Sequence, residues 1–451
     1  MKHHLPCIDN LSPEVSIAPQ SLSCLLRTSR DLPLLFMLVF AALGVQAETL
    51  SVRWSGTQLE VHWTNGVLQQ ALTPAGPWID VPGNSTQSHR VDPCDNARFF
   101  RTRPGIRLAR TGQTLSYAPR DDGNLQRGVG WPSPRFTDNR DGTVSDNLTG
   151  LMWLKDADCI LTAHPSFDTD DLAGDGRVTW QHALDFVSAI NAGRFADCSS
   201  GYSDWRLPNA AELRSLNDYS SFATPSILQG HPFTNSNYWS FWSSTTVPDE
   251  HGYALMAEMH WNGGTMYSAD KPNHYGVWPV RSWQTVNAPA PVAQTGQTRC
   301  YDALGQLTPC TDSGQDGAQQ AGIQSPSPRF ALGASGQTLI DRLTHLEWAT
   351  SPESAPMTWS SAVSFATNSS LCGYTDWRLP NINELASLLH YEEPSRWLQA
   401  QGFNNLAVYD YWSSTTLAGH PGWAWGIGLR GGGTAVAPKG WPCFVWLVRD
   451  P

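Results

Sequence analysis

The chain has 451 residues, of which 29 are basic and 40 acidic, giving a net charge of −11. That length predicts about three domains of roughly 150 residues, and the negative balance argues against phosphate backbones and sulfated polymers as partners. Only 15% of residues are charged while 21 are tryptophan, which excludes a disordered chain or a long coiled coil.

The 14-residue apolar run Leu32 to Val45 follows Arg27 and Arg30 and ends in Val45-Gln46-Ala47. It is too short to span a bilayer easily, and its flanks suit a secretory signal over residues 1–47, cut after Ala47. The alternative is a short anchor or a buried helix. Residues 1–47 carry as many acids as bases, so the mature chain keeps −11. The expected localisation is secreted or cell-surface, with no membrane insertion of the mature chain. Export permits disulfides, and no CxxC or Cys/His cluster stands at zinc spacing.

Residues 48–104 alternate in short runs such as Leu59, Val61 and Trp63, separated by turn signals at Thr64-Asn65-Gly66 and Pro82-Gly83-Asn84. They predict a small β-sandwich-like module. Residues 105–130 and 284–326 are rich in Gly, Pro, Gln and Thr, share Thr-Gly-Gln-Thr at 111–114 and 295–298, and read as linkers.

Each linker leads into the same ordered set of motifs, spread over 131–283 and again over 327–451. Ser133-Pro-Arg-Phe136 matches Ser327-Pro-Arg-Phe330, and Asp204-Trp-Arg-Leu-Pro-Asn209 matches Asp376-Trp-Arg-Leu-Pro-Asn381. Trp242-Ser-Ser-Thr-Thr246 matches Trp412-Ser-Ser-Thr-Thr416, and each copy closes on Val-Arg, at Arg281 and Arg449. A unit of this size is a domain rather than a solenoid repeat. Five tryptophans in register (Trp153/Trp348, Trp180/Trp359, Trp205/Trp377, Trp242/Trp412, Trp278/Trp446) are expected in the core.

Each copy opens with a predicted hairpin, Thr143 to Trp153 or Thr338 to Trp348. Two helices come next. Thr179 and Thr358 are candidate N-caps of the first, while Asn209…Glu212 and Asn381…Glu384 read as capping boxes of the second. Asp204 with Arg206, and Asp376 with Arg378, read as structural ion pairs rather than catalytic machinery. The remainder is strand-like, so the class is α+β.

These motifs together resemble the Lcl C-terminal domain family, named from a collagen-like adhesin, over nearly the whole of both copies. The resemblance rests on Asp141-Gly-Thr-Val144 ahead of Thr149-Gly-Leu-Met-Trp153, the two Gly-Tyr-x-Asp-Trp-Arg-Leu-Pro-Asn stretches, both Trp-Ser-Ser-Thr-Thr runs and the closing Val-Arg. It implies two tandem C-type-lectin-like domains on a secreted or surface-displayed bacterial protein, adhesin-like, that binds a glycan or protein and is not an enzyme. The second copy departs from the pattern where Gly336-Gln-Thr-Leu339 replaces Asp-Gly-Thr-Val.

Shared positions report scaffold, so the differences between copies are where binding preference would reside. Trp153 to Trp180 spans 27 positions and Trp348 to Trp359 only 11; the longer loop carries Asp168, Asp170, Asp171 and Asp175. These are candidate calcium ligands, although no EF-hand frame is present, and a solvated acidic loop would read the same way. Cysteine spacing suggests bridges Cys159–Cys198, Cys372–Cys443 and Cys300–Cys310, with Cys94 left over.

In the late strands, Tyr253, Leu255, Ala257 and Met259, like Trp423, Trp425, Ile427 and Leu429, share a phase that should face the core. The opposite phase and the loops beyond give the candidate binding face: Glu258, His260, Trp261, Asn262, Tyr267, Lys271, Asn273 and His274 in the first copy, Arg430, Thr434, Lys439 and Trp441 in the second. An ordinary polar loop would look similar.

The signatures GxSxG, HExxH and GxxxxGK[ST] are absent. Gly426 to Gly431 matches GxGxxG, but no βαβ unit has room after it. Two alternatives to a binding protein stay open: a formylglycine-generating-type oxidase, which would need Cys372 and Cys443 as reactive thiols, and an architectural envelope component.

Overall fold

In the computed structural model the described residues are eight strands between 23 and 103, and residues 105–221, 230–236, 240–259, 264–283 and 288–451. The chain divides into two compact units, Met1–Gly105 and Ile106–Pro451. Apart from the antiparallel pair Ser23–Leu26 and Phe36–Val39, the expected signal region lies outside the described residues, as does Cys94. The first unit also holds two three-stranded antiparallel sheets. In one, Gln58–Trp63 lies between Leu50–Ser55 and Ser88–Val91; in the other, Val67–Ala71 lies between Ile79–Asp80 and Phe99–Arg103.

The second unit is built of two like halves of mixed helix and sheet. Each half opens with the expected hairpin, Thr143–Asp146 against Leu151–Leu154, and Thr338–Asp341 against Glu347–Ala349. The closing strand, Val280–Ser282 or Val448–Arg449, pairs with the second arm of that hairpin, so the start and end of each half share one antiparallel sheet. Trp153 stands opposite Val280 and Trp348 opposite Val448. The helices Trp180–Asn191 and Trp359–Asn368 bury their apolar stripe, with Ala183, Leu184, Val187 and Ile190 inside. All ten in-register tryptophans are buried, and rings of that size dominate core energetics through their apolar area.

A second antiparallel sheet in each half is made of the late strands, Ser240–Thr246, Tyr253–Glu258 and Thr265–Asp270, or Asp410–Thr416, Trp423–Gly428 and Thr434–Pro438. Its first pairing slips between Trp242 and Thr246, and again between Trp412 and Thr416. A bulge removes ladder partners, and the freed Ser-Ser-Thr-Thr groups bond elsewhere. Ser244 N donates to Pro208 O at 2.8 Å and Ser414 N to Pro380 O at 2.7 Å.

Residues 105–130 and 288–326 carry structure of their own. Each forms a one-turn helix, Asp122–Leu125 or Asp316–Gln319, and each crosses between the halves. Thr111 O accepts from Tyr219 N in the first half, whereas Gln113 makes a two-way pair with Thr416 N and O in the second, at 3.0 and 2.7 Å. Thr295 O accepts from Tyr391 N in the second half, and Gln297 pairs in the same way with Thr246 in the first, at 3.0 and 2.9 Å. These segments are straps rather than free linkers. Gly123 and Gly317 are required there, because a Cβ would lie 2.0 Å from Leu115 O or 2.3 Å from Arg299 O.

Candidate functional site

The charged groups of the repeated motifs are spent on scaffold, in the same way in both halves. Arg135 pairs with Asp146 of the hairpin and also reaches Ser215 O; Arg329 pairs with Asp341 at 2.9 and 2.6 Å and reaches Ser387 O. The capping boxes are present as read: Asn209 and Asn381 accept from Glu212 N and Glu384 N, and each Glu accepts from the Asn backbone in return. The expected partner of Arg206 needs correcting. Its guanidinium lies on buried Glu212, and Arg378 lies on Glu384 at 2.6 and 2.8 Å. Asp204 and Asp376 sit at the surface and instead hold the closing Arg281 and Arg449, whose guanidinium groups lie 4.0 and 3.8 Å over the Tyr202 and Tyr374 rings. Thr179 and Thr358 occupy N-cap positions without a side-chain cap bond.

The Thr-Thr pair of each Trp-Ser-Ser-Thr-Thr run receives a strap. Thr245 Oγ1 donates to Asp316 Oδ2 at 2.6 Å, and Thr415 Oγ1 to Asp122 Oδ2 at 2.7 Å; the strap's own Thr295 or Thr111 donates to the same oxygen at 2.7 Å. Among the described residues neither carboxylate forms an ion pair, and Oδ1 of each is buried with no hydrogen-bond partner. Burial pushes Asp122 up to about 7 and Asp316 up to about 6.

The candidate binding residues do not form one face. His260, Trp261 and Asn262 lie outside the described residues. Lys271 is fully buried, its Nζ 4.0 Å over the Trp180 ring and donating to Tyr301 O and Asp302 O at 3.1 Å each. Thr434 is also buried and accepts from Met266 N at 2.8 Å, where the late sheets of the two halves meet. Lys439 is half-buried, over the Trp359 ring at 3.8 Å and donating to Thr416 Oγ1 at 2.7 Å. Glu258 and His274 are half-buried, Asn273 is exposed, and Arg430 is exposed with its Nε 4.0 Å from Asp249. Tyr267 is 36% and Trp441 64% exposed.

The strict alternation expected of the late strands fails because both faces of the middle strand are covered. Met256 and Gly426 are buried along with Leu255 and Trp425, and Trp423, expected inside, is 40% exposed at the strand's outer end. That ring, the strap residues Tyr117 and Tyr301, and the strap carboxylates are what reading the sequence missed. The Thr-Gly-Gln-Thr duplicated in both straps was the available signal.

In the acidic loop, Asp168 is buried and accepts from Asp170 N and Gly176 N. Asp170 accepts from Thr179 N and sits 3.1 Å from His182 Nδ1, Asp175 accepts from Arg177 N, and Asp171 is exposed. Among the described residues no group of three or more His, Cys, Asp or Glu is placed to hold a metal ion.

Cys159–Cys198 and Cys300–Cys310 are bridged. Cys372 and Cys443 are free thiols, against expectation. Cys372 lies beside Ser335 Oγ at 2.9 Å near the start of the hairpin. Cys443 takes the register position of Tyr275, held in an antiparallel bridge to Met357, where burial pushes its thiol up to about 12. The first half bridges Cys198 through the extra helix Cys159–Ala163, in the loop that the second half lacks.

Where the straps meet, a cleft of about 100 Å³ is lined by Arg107, Arg110, Arg214 and Tyr391 among others, with Arg214 Nη1 donating to the Tyr391 hydroxyl at 2.8 Å. No helix among the described residues is long and apolar enough to cross a membrane. The sequence model of the Lcl C-terminal domain matches residues 142–281 and 337–449, more than half of the chain. No curated protein matches the chain.

Proposed function

The chain belongs to the Lcl C-terminal domain family, and from that premise we propose that it is an exported, non-enzymatic binding protein. Its two halves act as C-type-lectin-like domains that hold late loops toward an extracellular glycan or protein. The observation that carries this reading is the contrast between charge and ring. The motif arginines and their carboxylates are locked in pairs that recur in both halves, whereas Tyr267, Tyr409, Trp423 and Trp441 in and beside the late strands expose their rings. Exposed aromatic rings on a rigid frame suit recognition, with little conformational entropy to lose on binding. The raised Cys443 thiol speaks against the oxidase alternative, since the thiolate is the reactive species.

The test is a glycan and extracellular-protein array with the full chain, with and without a divalent-cation chelator. Saturable binding to particular spots, unchanged by the chelator because the acidic loop bonds its own backbone, is the expected result. Thiol-dependent turnover, or self-association with no spot bound, would overturn the proposal.

A further inference from the structure

We propose that the outer end of the second half's late sheet is a docking site for a polypeptide turn, one that presents backbone carbonyl oxygens to Lys439 and an aromatic side chain to Trp423. The site rests on the binding-protein reading above and gives it a place and a partner class. The molecule's own duplication points to it, because the equivalent end of the first half is already occupied by such a turn.

In the first half, Lys271 N donates to Gly252 O at 3.0 Å, and its ammonium lies over Trp180. The second strap covers this end. Its strand pair Cys300–Tyr301 with Leu307–Thr308, closed by the Cys300–Cys310 bridge, lays the Tyr301 ring flat on His251 with centroids 3.9 Å apart. Two successive carbonyl oxygens of that turn, Tyr301 O and Asp302 O, take the Lys271 ammonium protons. Gly305 comes so close that a Cβ on it would be 2.7 Å from Gly252 N.

Among the described residues, the second half repeats the cradle without the cover. Lys439 N donates to Gly422 O at 2.7 Å, and the ammonium lies over Trp359 as Lys271 does over Trp180. Tyr117 of the first strap, at the same distance after Thr-Gly-Gln-Thr as Tyr301, lies with its ring centre 4.9 Å from the Lys439 ammonium. There the straps diverge: Thr111 to Asp122 spans 11 positions, Thr295 to Asp316 spans 21. The missing residues are the turn. An ammonium has three protons to donate, and among the described residues Lys439 donates to one oxygen, Thr416 Oγ1. Pro421, Gly422 and Trp423 are exposed, and nothing lies within 4 Å of a Cβ placed on Gly422. Trp423 stands where the first half has Tyr253, and Trp441 comes one turn after Pro438, its N donating to Pro438 O at 2.8 Å. In the first half two neutral peptide oxygens lie over the ammonium and the turn's Tyr301 ring rests on His251, two positions before Tyr253; the second half has Pro421 at that position, and Trp423, two positions on, is an exposed ring at the same end for a turn's side chain to meet.

The probe is a synthetic peptide of residues 299–311, closed by its own disulfide and carrying a fluorophore, titrated into the full chain and read by anisotropy. Saturable binding is expected, weakened at least tenfold by Trp423→Ala and by Lys439→Met. Since Lys439 is half-buried, Trp441→Ala serves as a surface variant whose unchanged melting temperature certifies the fold; it too should weaken binding. Absence of saturable binding, or binding that all three variants retain, overturns the site. The same preparations on the arrays separate the two readings. A ligand bound equally by wild type and Trp423→Ala sinks this site while the binding-protein reading stands, and no ligand at all sinks both. A glycan lost in Trp423→Ala would overturn the polypeptide class.

Discussion

Asp122 and Asp316 are fully buried acids that no ion pair among the described residues neutralises. Each is a buried carboxylate held by two threonine hydroxyls, with a second oxygen that bonds nothing. Around Asp122 stand two further acids, Asp121 and Glu384; around Asp316, Glu212 and, opposing it, Arg206. Burial is the dominant cause of both shifts, so the folded chain holds protons that the unfolded chain releases near the ordinary value of 3.8. Between about pH 4 and pH 7 the folded state therefore binds more protons, and stability from these groups is full below that window and falls as pH rises through it. At about 1.4 kcal/mol per unit, Asp122 bears on the order of 4 kcal/mol of this slope. Asp122→Asn should raise stability at pH 8 and leave it little changed near pH 4. His390, lowered by burial to about 4, contributes the opposite slope, so the quantity to read from urea melts is wild type minus variant. A difference that does not vary with pH would show that the carboxylate is not protonated in the fold.

At the scale of the element, the short helices after Leu-Pro-Asn owe their placement to one glutamate each. Glu384 caps Asn381 N at 2.9 Å and holds the buried Arg378 with both oxygens. Glu384→Ala leaves that guanidinium unpaired in the interior, save for the surface carboxylate of Asp450 at 3.3 Å, and should cost about 3 to 5 kcal/mol. Asn381→Ala removes the cap, worth about 1 kcal/mol, and the bond from its Nδ2 to Arg127 O of the strap, worth about 1 kcal/mol more, and should still cost less. Equal costs in urea unfolding would contradict this division of labour. Which elements exist was legible: hairpins, tryptophan core and capping boxes obey local rules that both copies repeat. What Arg206 pairs with was not, because Asp204 is near in the chain while Glu212 is buried beside it and Arg281 arrives from 77 residues away to take Asp204. Alternation likewise assumes one wet face. It misplaced Trp423 and the buried Met256 for that reason, just as spacing alone joined Cys372 to Cys443.

At the scale of the second unit, the straps make the duplication a closed pair. The second strap comes directly after its host half in sequence, while the first strap precedes both halves and docks on the later one, with Ile106 N donating to Leu343 O and Asn381 Nδ2 to Arg127 O. Such a segment carries no apolar period, since it is held by Gln, Thr and Asp side chains and by backbone; that is why its composition reads as a linker. Closure of this kind predicts that order along the chain is dispensable. A permuted chain that begins at residue 131, runs to Pro451 and continues through a short linker into residues 106–130 should fold as the parent does. The linker joins Pro451 to Ile106, and the end of the chain already lies beside the strap, Asp450 Oδ2 being 3.4 Å from Arg127 Nη1. Simple deletion of 106–130 strands Thr415, Thr416 and Asn381 without their partners, and the second half should then melt first, separating one transition into two. Coincident melting of both halves in the deletion, or loss of folding in the permutant, would mean that the first strap serves as a tether and not as part of the second half's structure.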